Sequence, residues 1–204
     1  PLAMIVEVYG KDMQSDLESV MERRFHSGIN FAEGIWHTGQ RNSNWVRISK
    51  KAVGKGFRLA DLGKMLMHTT RKEFGSVVTR VQVTIITDLE EIECRLPAAK
   101  EIYDARDERM KGLKDELVDC FYTCTMCQSF APGHICIISP ERLGLCGAIN
   151  WLDAKAGNEL SPSGPNKPGS MGDLPDGIKG EWAGVNDSGS SASSGPVTRM
   201  CLYS

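Results

Sequence analysis

Residues 120–146 read CFYTCTMCQSFAPGHICIISPERLGLC, and this stretch decides the fold of the C-terminal half of the chain. It holds five of the seven cysteines in a sequence of 204 residues. Proline and glycine recur between positions 132 and 144, where they interrupt helices and strands. A chain that wraps around a bound group needs such interruptions, so we expect an irregular, cysteine-rich metal-binding segment here.

Four of these thiols follow the spacing C-x2-C-x8-C-x9-C: Cys124, Cys127, Cys136 and Cys146. A CxxC pair lets two thiolates reach one centre from a single turn, and two later cysteines complete four-fold ligation. Structural zinc and an iron–sulfur cluster both fit, and the spacing alone favours neither. Cys120 is the spare thiol, and His134 could replace a ligand in a zinc site. The alternative is that the thiols only pack as small apolar side chains.

Residues 1–116 alternate predicted strands and helices, which is typical of an α/β domain, with α+β as the alternative. Strands are predicted at residues 4–9 (MIVEVY), at residues 77–87 (VVTRVQVTIIT) and twice within residues 35–49. Helices are predicted from Asp12, around Leu59, Leu62 and Leu66, and from Asp88, which forms a capping box with Glu91. Pro97 is expected to break or restart the last helix.

The second predicted domain, residues 117–204, contains the cysteines and a long tail. Glycine, serine and proline make up 21 of the 39 residues at 158–196. Such a composition is typical of flexible segments, so we expect residues 158–196 to be flexible.

Composition excludes several functional classes. The net charge of −2 and the isoelectric point near 6.1 argue against a general nucleic-acid binder. No apolar run approaches the ~20 residues that a bilayer span needs, so no membrane contact is expected. The first residues, PLAMIVEVYG, show no secretion signal. We therefore expect a reducing, cytoplasmic compartment, in which clustered thiols bind metal more often than they form disulfides.

Short sequence blocks in a fixed order carry a family resemblance. They are CQSFAP (127–132), ICI (135–137), SPER (139–142), GLCG (144–147), WLDAKA (151–156), GPN (164–166), WHTGQ (36–40), WVRISK (45–50) and RVQVT (80–84). The chain resembles acetyl-CoA synthase, the metal-bearing subunit of the carbon monoxide dehydrogenase/acetyl-CoA synthase complex of anaerobic microbes. The resemblance covers residues 1–182 and 199–204.

The resemblance implies a metal centre and a reaction. In that family the cysteines matching the four named above hold a [4Fe–4S] cubane, and the one matching Cys127 also bridges to a proximal nickel of a dinickel site. The activity is that of a CO-methylating acyltransferase of carbon fixation in the Wood–Ljungdahl pathway. It condenses CO, coenzyme A and a methyl group from a corrinoid iron–sulfur protein, with the carbon monoxide dehydrogenase subunit as partner. Phe130 matches an aromatic over the proximal nickel, or else shields the cluster from water.

One departure from the family concerns the distal nickel, which a Cys-Gly-Cys motif holds in relatives. Cys146 and Gly147 are followed by Ala148, and no Cys-Gly-Cys occurs in the sequence. The expectation is therefore an excerpt that can ligate the cubane, has an incomplete dinickel site, and does not by itself synthesise acetyl-CoA.

A basic segment at residues 36–80 is the second functional candidate. It carries ten Lys or Arg against two acids, a local net charge of +8. Arginine forks bind phosphates and indoles stack on bases, and coenzyme A contains both groups. The expected contacts are Trp36, Arg41, Arg47, Lys50 and Lys51. The alternative is a solvated basic face, or ion pairs with the acidic helix at residues 88–116.

Two other functional hypotheses remain open at this point. In the first, the chain is a non-catalytic, zinc-stabilised binding module whose basic face binds a partner. In the second, it is a scaffold piece that carries no metal. The colour of the protein distinguishes the zinc-stabilised module from an iron–sulfur protein, because iron–sulfur proteins are brown and zinc thiolates are colourless.

Overall fold

The computed structural model describes residues 2–11, 21, 24, 35–40, 43–129, 133–147 and 149–203. The fold is mixed α/β, as the sequence predicts. The chain divides into two compact units. The first unit comprises Pro1–Thr38 and Asn44–Lys111, and the second comprises Gly39–Ser43 and Gly112–Ser204. None of the described helices is long and apolar enough to cross a membrane.

An antiparallel strand pair and one amphipathic helix organise the first unit. Strand β1 (Ala3–Gly10) pairs with β4 (Val78–Ile86), and the register runs from Ala3 opposite Ile86 to Tyr9 opposite Arg80. Helix α2 (Ala60–Phe74) contacts β4 and buries one side chain per turn: Leu62, Leu66, Thr70 and Phe74. This spacing of four places all of them on one helix face. The predictions of both strands and of this helix are confirmed.

The segment between β1 and α2 contains two short strands and a short helix. Strands β2 (Ile35–Gln40) and β3 (Ser43–Ile48) pair with each other, which confirms the prediction for residues 35–49. Helix α1 (Lys50–Gly54) follows, and no sequence pattern predicted it. The Ser49 side chain caps α1 by accepting a hydrogen bond from the Ala52 amide at 3.1 Å. The predicted helix from Asp12 lies mostly outside the described residues.

Helix α3 (Leu89–Glu108) begins where the capping pattern places it. The Asp88 carboxylate accepts a hydrogen bond from the Glu91 amide at 2.9 Å. The prediction that Pro97 breaks this helix is wrong, because α3 runs through Pro97 without interruption. A proline removes one backbone hydrogen bond at a cost of about 3 kcal/mol, and twenty helical residues with a capped start outweigh that loss.

A three-stranded antiparallel sheet in the order β6–β5–β7 organises the second unit. The strands are β5 (Cys120–Cys124), β6 (Cys136–Ile138) and β7 (Asn166–Ser170). Because side chains alternate between the faces of a sheet, Phe121 and Ile137 lie on one face. There they join a buried core with four further side chains: Met171, Trp182, Val185 and Leu202.

Helix α4 (Trp151–Leu160) contacts β5 and β7. The Trp151 ring packs edge-on against Tyr122, with 5.9 Å between ring centroids. The indole N–H of Trp151 donates a hydrogen bond to the Cys120 carbonyl at 2.9 Å. These contacts place α4 on the sheet face that carries Tyr122 and Cys124, opposite the core around Phe121.

Two regular elements lie within residues 158–196: strand β7 and helix α5 (Ala183–Ala192). Both Val185 and Gly189 of α5 are buried. The flexibility of this segment stays a prediction, but the structure gives it more regular structure than its composition indicates.

Candidate metal centre

The sheet register brings two of the four candidate ligands together. Cys124, the last residue of β5, lies directly opposite Cys136, the first residue of β6. Directly opposed residues of antiparallel strands have Cβ atoms roughly 4.5–5.5 Å apart and point to the same face. Both thiols are buried. Two cysteines that lie well apart in the sequence are therefore neighbours in the fold.

Two turns bring the other two candidate ligands towards this pair. Cys127 lies in a 3-10 turn (Met126–Ser129) that follows β5 almost at once. Cys146 lies beyond the turn at residues 139–142, on a loop that passes close to Ile138 at Gly144. The charges of Cys127, Cys136 and Cys146 all act on the Cys124 thiol. Cys127 and Cys146 therefore lie in the neighbourhood of the Cys124–Cys136 pair.

Burial and backbone hydrogen bonds act in opposite directions on these thiols. Burial raises the pKa of Cys124 to about 11, and a hydrogen bond from the Met126 backbone partly offsets that rise. Burial likewise raises the pKa of Cys136, and a hydrogen bond from the Leu145 backbone partly offsets it. Metal binding must displace the thiol protons, and backbone N–H groups aimed at the sulfurs stabilise the thiolates that result.

His134 and Cys120 occupy different positions relative to the four thiols. The His134 Nε2 atom lies 3.1 Å from the Cys136 sulfur, so this histidine is a hydrogen-bonding neighbour of a candidate ligand. Cys120 lies at the opposite end of β5 from Cys124, and its thiol interacts with the Tyr122 hydroxyl. Four residues of strand span roughly 13 Å, which separates Cys120 from the centre.

The donor set fits soft metals. Within the described residues no group of three or more His, Cys, Asp or Glu side chains is arranged to hold a metal ion. The four neighbouring thiols, two of them buried and supplied with backbone N–H donors, are nevertheless the ligands that iron–sulfur clusters and structural zinc prefer. Their role as ligands stays a prediction.

The predicted aromatic and basic contacts are mostly not described at side-chain level. Phe130 and Arg41 lie outside the described residues. Trp36 lies in β2 and Arg47 in β3, where the structure describes the backbone. Lys50 and Lys51 are exposed in the first turn of α1. The coenzyme A contacts are therefore not assembled by the structure and stay a prediction.

A buried carboxylate network fixes the turn between Cys136 and Cys146, and the sequence did not reveal it. Asp115 is completely buried and accepts hydrogen bonds from the Ser139 hydroxyl at 3.1 Å and the Glu141 amide at 3.0 Å. Glu141 in return accepts the Asp115 amide at 3.2 Å and the Tyr203 hydroxyl at 3.1 Å. Burial raises the pKa of Asp115. The SPER block, which carries the family resemblance, is the sequence signal that marks this turn.

A second network holds residues 199–202. The buried Glu181 carboxylate accepts hydrogen bonds from the Asn186 amide at 3.0 Å and from the Arg199 guanidinium, which binds both carboxylate oxygens. Arg142 donates a hydrogen bond to the Leu202 carbonyl at 3.1 Å. The C-terminal segment is thereby fastened both to α5 and to the turn that precedes Cys146.

Comparison with known proteins yields two family models that together cover most of the chain. The model for the C-terminal region of the ACS/CODH beta subunit matches residues 103–204. The model for the beta subunit of the CO dehydrogenase/acetyl-CoA synthase complex matches residues 1–92.

Curated relatives match along the whole chain. The carbon monoxide dehydrogenase/acetyl-CoA synthase subunit alpha of Moorella thermoacetica is 52% identical over 203 residues, covering 100% of this chain and 28% of the relative. The acetyl-CoA decarbonylase/synthase complex subunit beta of Methanopyrus kandleri is 46% identical over 204 residues, covering 100% of this chain and 44% of the relative. The chain thus spans less than half the length of these relatives.

Proposed function

The chain belongs to the family of beta subunits of the CO dehydrogenase/acetyl-CoA synthase complex, and from this premise we propose that it supplies the cubane ligands of an acetyl-CoA synthase centre. The proposed ligands are Cys124, Cys127, Cys136 and Cys146. The observation that supports the proposal most directly is the pairing of Cys124 with Cys136 across β5 and β6.

The residues around the thiols suit a cluster that water must not reach. The Met126 side chain, next to Cys127, is buried, as are Cys124 and Cys136. Backbone N–H groups of Met126 and Leu145 reach the two buried sulfurs. Cysteine ligation, burial and N–H donors to sulfur are the features by which proteins hold and tune iron–sulfur clusters.

When bound, the cubane and its nickel partners supply the site at which CO, a methyl group and coenzyme A combine into acetyl-CoA. In this proposal Cys127 would also help to hold nickel, and Phe130 would restrict access to the centre. The 204 residues contain no Cys-Gly-Cys, so none of them is proposed as a ligand of the distal nickel. The proposed partners are the carbon monoxide dehydrogenase subunit and a corrinoid iron–sulfur protein, and the proposed compartment is the cytoplasm.

Coenzyme A binding is proposed for the basic segment at residues 36–80. Its local charge of +8 attracts the phosphates, and the proposed contacts are Trp36, Arg41, Arg47, Lys50 and Lys51. The variants Arg41→Ala and Arg47→Ala are expected to weaken coenzyme A binding in titration calorimetry. Arg95→Ala, which removes an exposed arginine of α3 outside the segment, is the control. Unchanged affinity in the first two variants would exclude the assignment.

Zinc is the second candidate occupant, and His134 favours it. Its ring nitrogen lies 3.1 Å from the Cys136 sulfur, and imidazole with thiolates is a common zinc ligand set. In this alternative the chain is a non-catalytic binding module stabilised by one zinc ion.

Cysteine variants test the cubane proposal. Reconstitution with iron and sulfide in the absence of oxygen is expected to give a brown protein with broad absorption near about 400 nm. Cys136→Ser should lose this absorption, because it removes a buried ligand. Cys120→Ser is the matched control, since it removes a thiol of the same sheet outside the centre. Equal absorption in both variants would contradict the ligand assignment.

A further inference from the structure

A buried asparagine lies next to the candidate ligands on the third strand of the sheet. Asn166, the first residue of β7, lies directly opposite Cys124. Cys124 in turn lies opposite Cys136 on β6. Residues in register across antiparallel strands point to the same face, so these three side chains form one row across the sheet.

The Asn166 carboxamide has few hydrogen bonds for a group so deeply buried. The residue is 1% exposed. The amide nitrogen reaches the Thr123 carbonyl at 3.5 Å, at the outer limit for a hydrogen bond, and Oδ1 has no hydrogen-bond partner within the described part of the chain. A carboxamide offers two donors and an acceptor, and leaving a buried polar group unpaired is destabilising.

Such a deficit beside a row of candidate ligands indicates a missing partner. Buried polar groups in native proteins are satisfied by protein, water or a bound group in the great majority of cases. The neighbour in the row, Cys124, is a candidate metal ligand, and a cluster bound there would present sulfur atoms as acceptors. The Nδ2 group carries two N–H bonds and the Thr123 carbonyl accepts one of them, so the second can be donated to a sulfur acceptor.

We propose that Asn166 is a positioning residue of the metal centre, whose carboxamide donates a hydrogen bond to a cluster sulfur or to the Cys124 thiolate. This inference rests on the proposed function. It would give the centre three N–H donors from three separate segments: the backbone of Met126, the backbone of Leu145 and the side chain of Asn166. Hydrogen bonds to sulfur stabilise the added electron of a reduced cluster, so Asn166 raises the reduction potential.

The reduction potential of the reconstituted cluster tests the inference. Asn166→Leu keeps the branched shape but removes the donors, and its potential is expected to be more negative than that of the wild type. Thr123→Val is the matched control, because it removes a hydroxyl from the same strand pair that donates to the Lys167 carbonyl. Its potential should stay at the wild-type value. A wild-type potential in a loaded Asn166→Leu protein would overturn the inference.

A measurement on the wild-type protein covers the case in which the variant does not load. With ¹⁵N in the asparagine side chains, pulsed electron paramagnetic resonance of the reduced cluster should show coupling to a nitrogen. Absence of that coupling would overturn the role of Asn166 whatever the variant does. If the wild-type protein takes up iron and sulfide but shows no coupling, only this inference fails. If the wild type takes up no cluster, the proposed function itself fails.

Discussion

Strand β1 of the first unit is eight residues long and pairs with β4 along its length, whereas β6 of the second unit is three residues long. In the first unit, regular periodicity supplies the contacts, as in the four-residue spacing of buried side chains on α2. In the second unit, buried carboxylates and close approaches at glycine hold short elements together. The unit with the candidate metal centre therefore depends on a few particular contacts, and the other unit on many similar ones.

Substitution of a helical glycine by alanine should show the largest difference in stability loss between the two units. A Cβ on Gly184 of α5 would lie 1.8 Å from the Ser170 carbonyl oxygen, so Gly184→Ala forces backbone to move. We expect a loss of about 3 kcal/mol or more in the free energy of unfolding.

The matched change in the first unit is Gly63→Ala on α2. Its Cβ would meet Val83 at 3.4 Å, an ordinary contact, and alanine favours a helix by about 1 kcal/mol over glycine. We expect no loss of stability there. Denaturant unfolding of both variants measures the effect, and equal losses would contradict the comparison.

The second largest difference in stability is expected between the loss of a buried carboxylate and the loss of a partly exposed one. Asp115→Ala leaves the Ser139 hydroxyl and the Glu141 amide without their acceptor, so we expect a loss of about 2–3 kcal/mol. Asp61→Ala in the first unit removes a partly exposed carboxylate that binds Lys64 and the Arg58 amide, and its cost should be smaller because water screens the charge and can replace both contacts. Chemical denaturation at neutral pH gives both values. A loss at Asp115 no larger than at Asp61 would show that the network does not hold the turn.

The Glu181 network predicts a pH dependence of the second unit. The Arg199 guanidinium and the Asn186 amide hold the pKa of Glu181 at about 2, below its ordinary value of 4.5. A lowered pKa contributes stability above pH 4.5, and that stability is lost as the pH falls towards 2.

The check is thermal unfolding of the wild type and of Glu181→Gln between pH 5 and 2, about the range set by the pKa shift. We expect the variant to be less stable at pH 5 and the difference to shrink on acidification. A difference that is constant over this range would contradict the assigned pKa.

The smallest effect is expected on the surface of α3. Arg95 and Glu91 form an exposed pair at 3.0 Å, one helical turn apart. Because water screens such pairs, Arg95→Ala should change the free energy of unfolding by less than about 0.5 kcal/mol. A loss above about 1 kcal/mol in the same denaturation measurement, outside the usual range for exposed pairs, would show that this helix surface is not solvated as described.

Local patterns in the sequence predicted the elements of the first unit well. Runs rich in β-branched residues indicated β1 and β4, and leucines three and four apart indicated α2. Helix α3 began at its predicted cap, but the continuation through Pro97 was missed because the cost of a proline is small against a long helix.

Long-range contacts limited the prediction for the second unit. The cysteine spacing identified the four thiols, but their convergence depends on the register between Cys124 and Cys136, which no local pattern specifies. Asp115 and Glu141 are likewise brought together across 26 residues by the fold. Asn166 belongs to the GPN block of the family resemblance, but no local pattern there distinguishes a buried carboxamide from a loop asparagine.

Metal and sulfide analysis of protein prepared without oxygen tests the central claim most directly. If the four cysteines hold a cubane, each chain should contain about four iron and four sulfide and absorb broadly near about 400 nm. Cys124→Ser should lower the iron content, while Cys94→Ser, which removes an exposed thiol of the first unit, should not. One zinc per chain, no sulfide and no colour would contradict the account and favour the zinc-stabilised module.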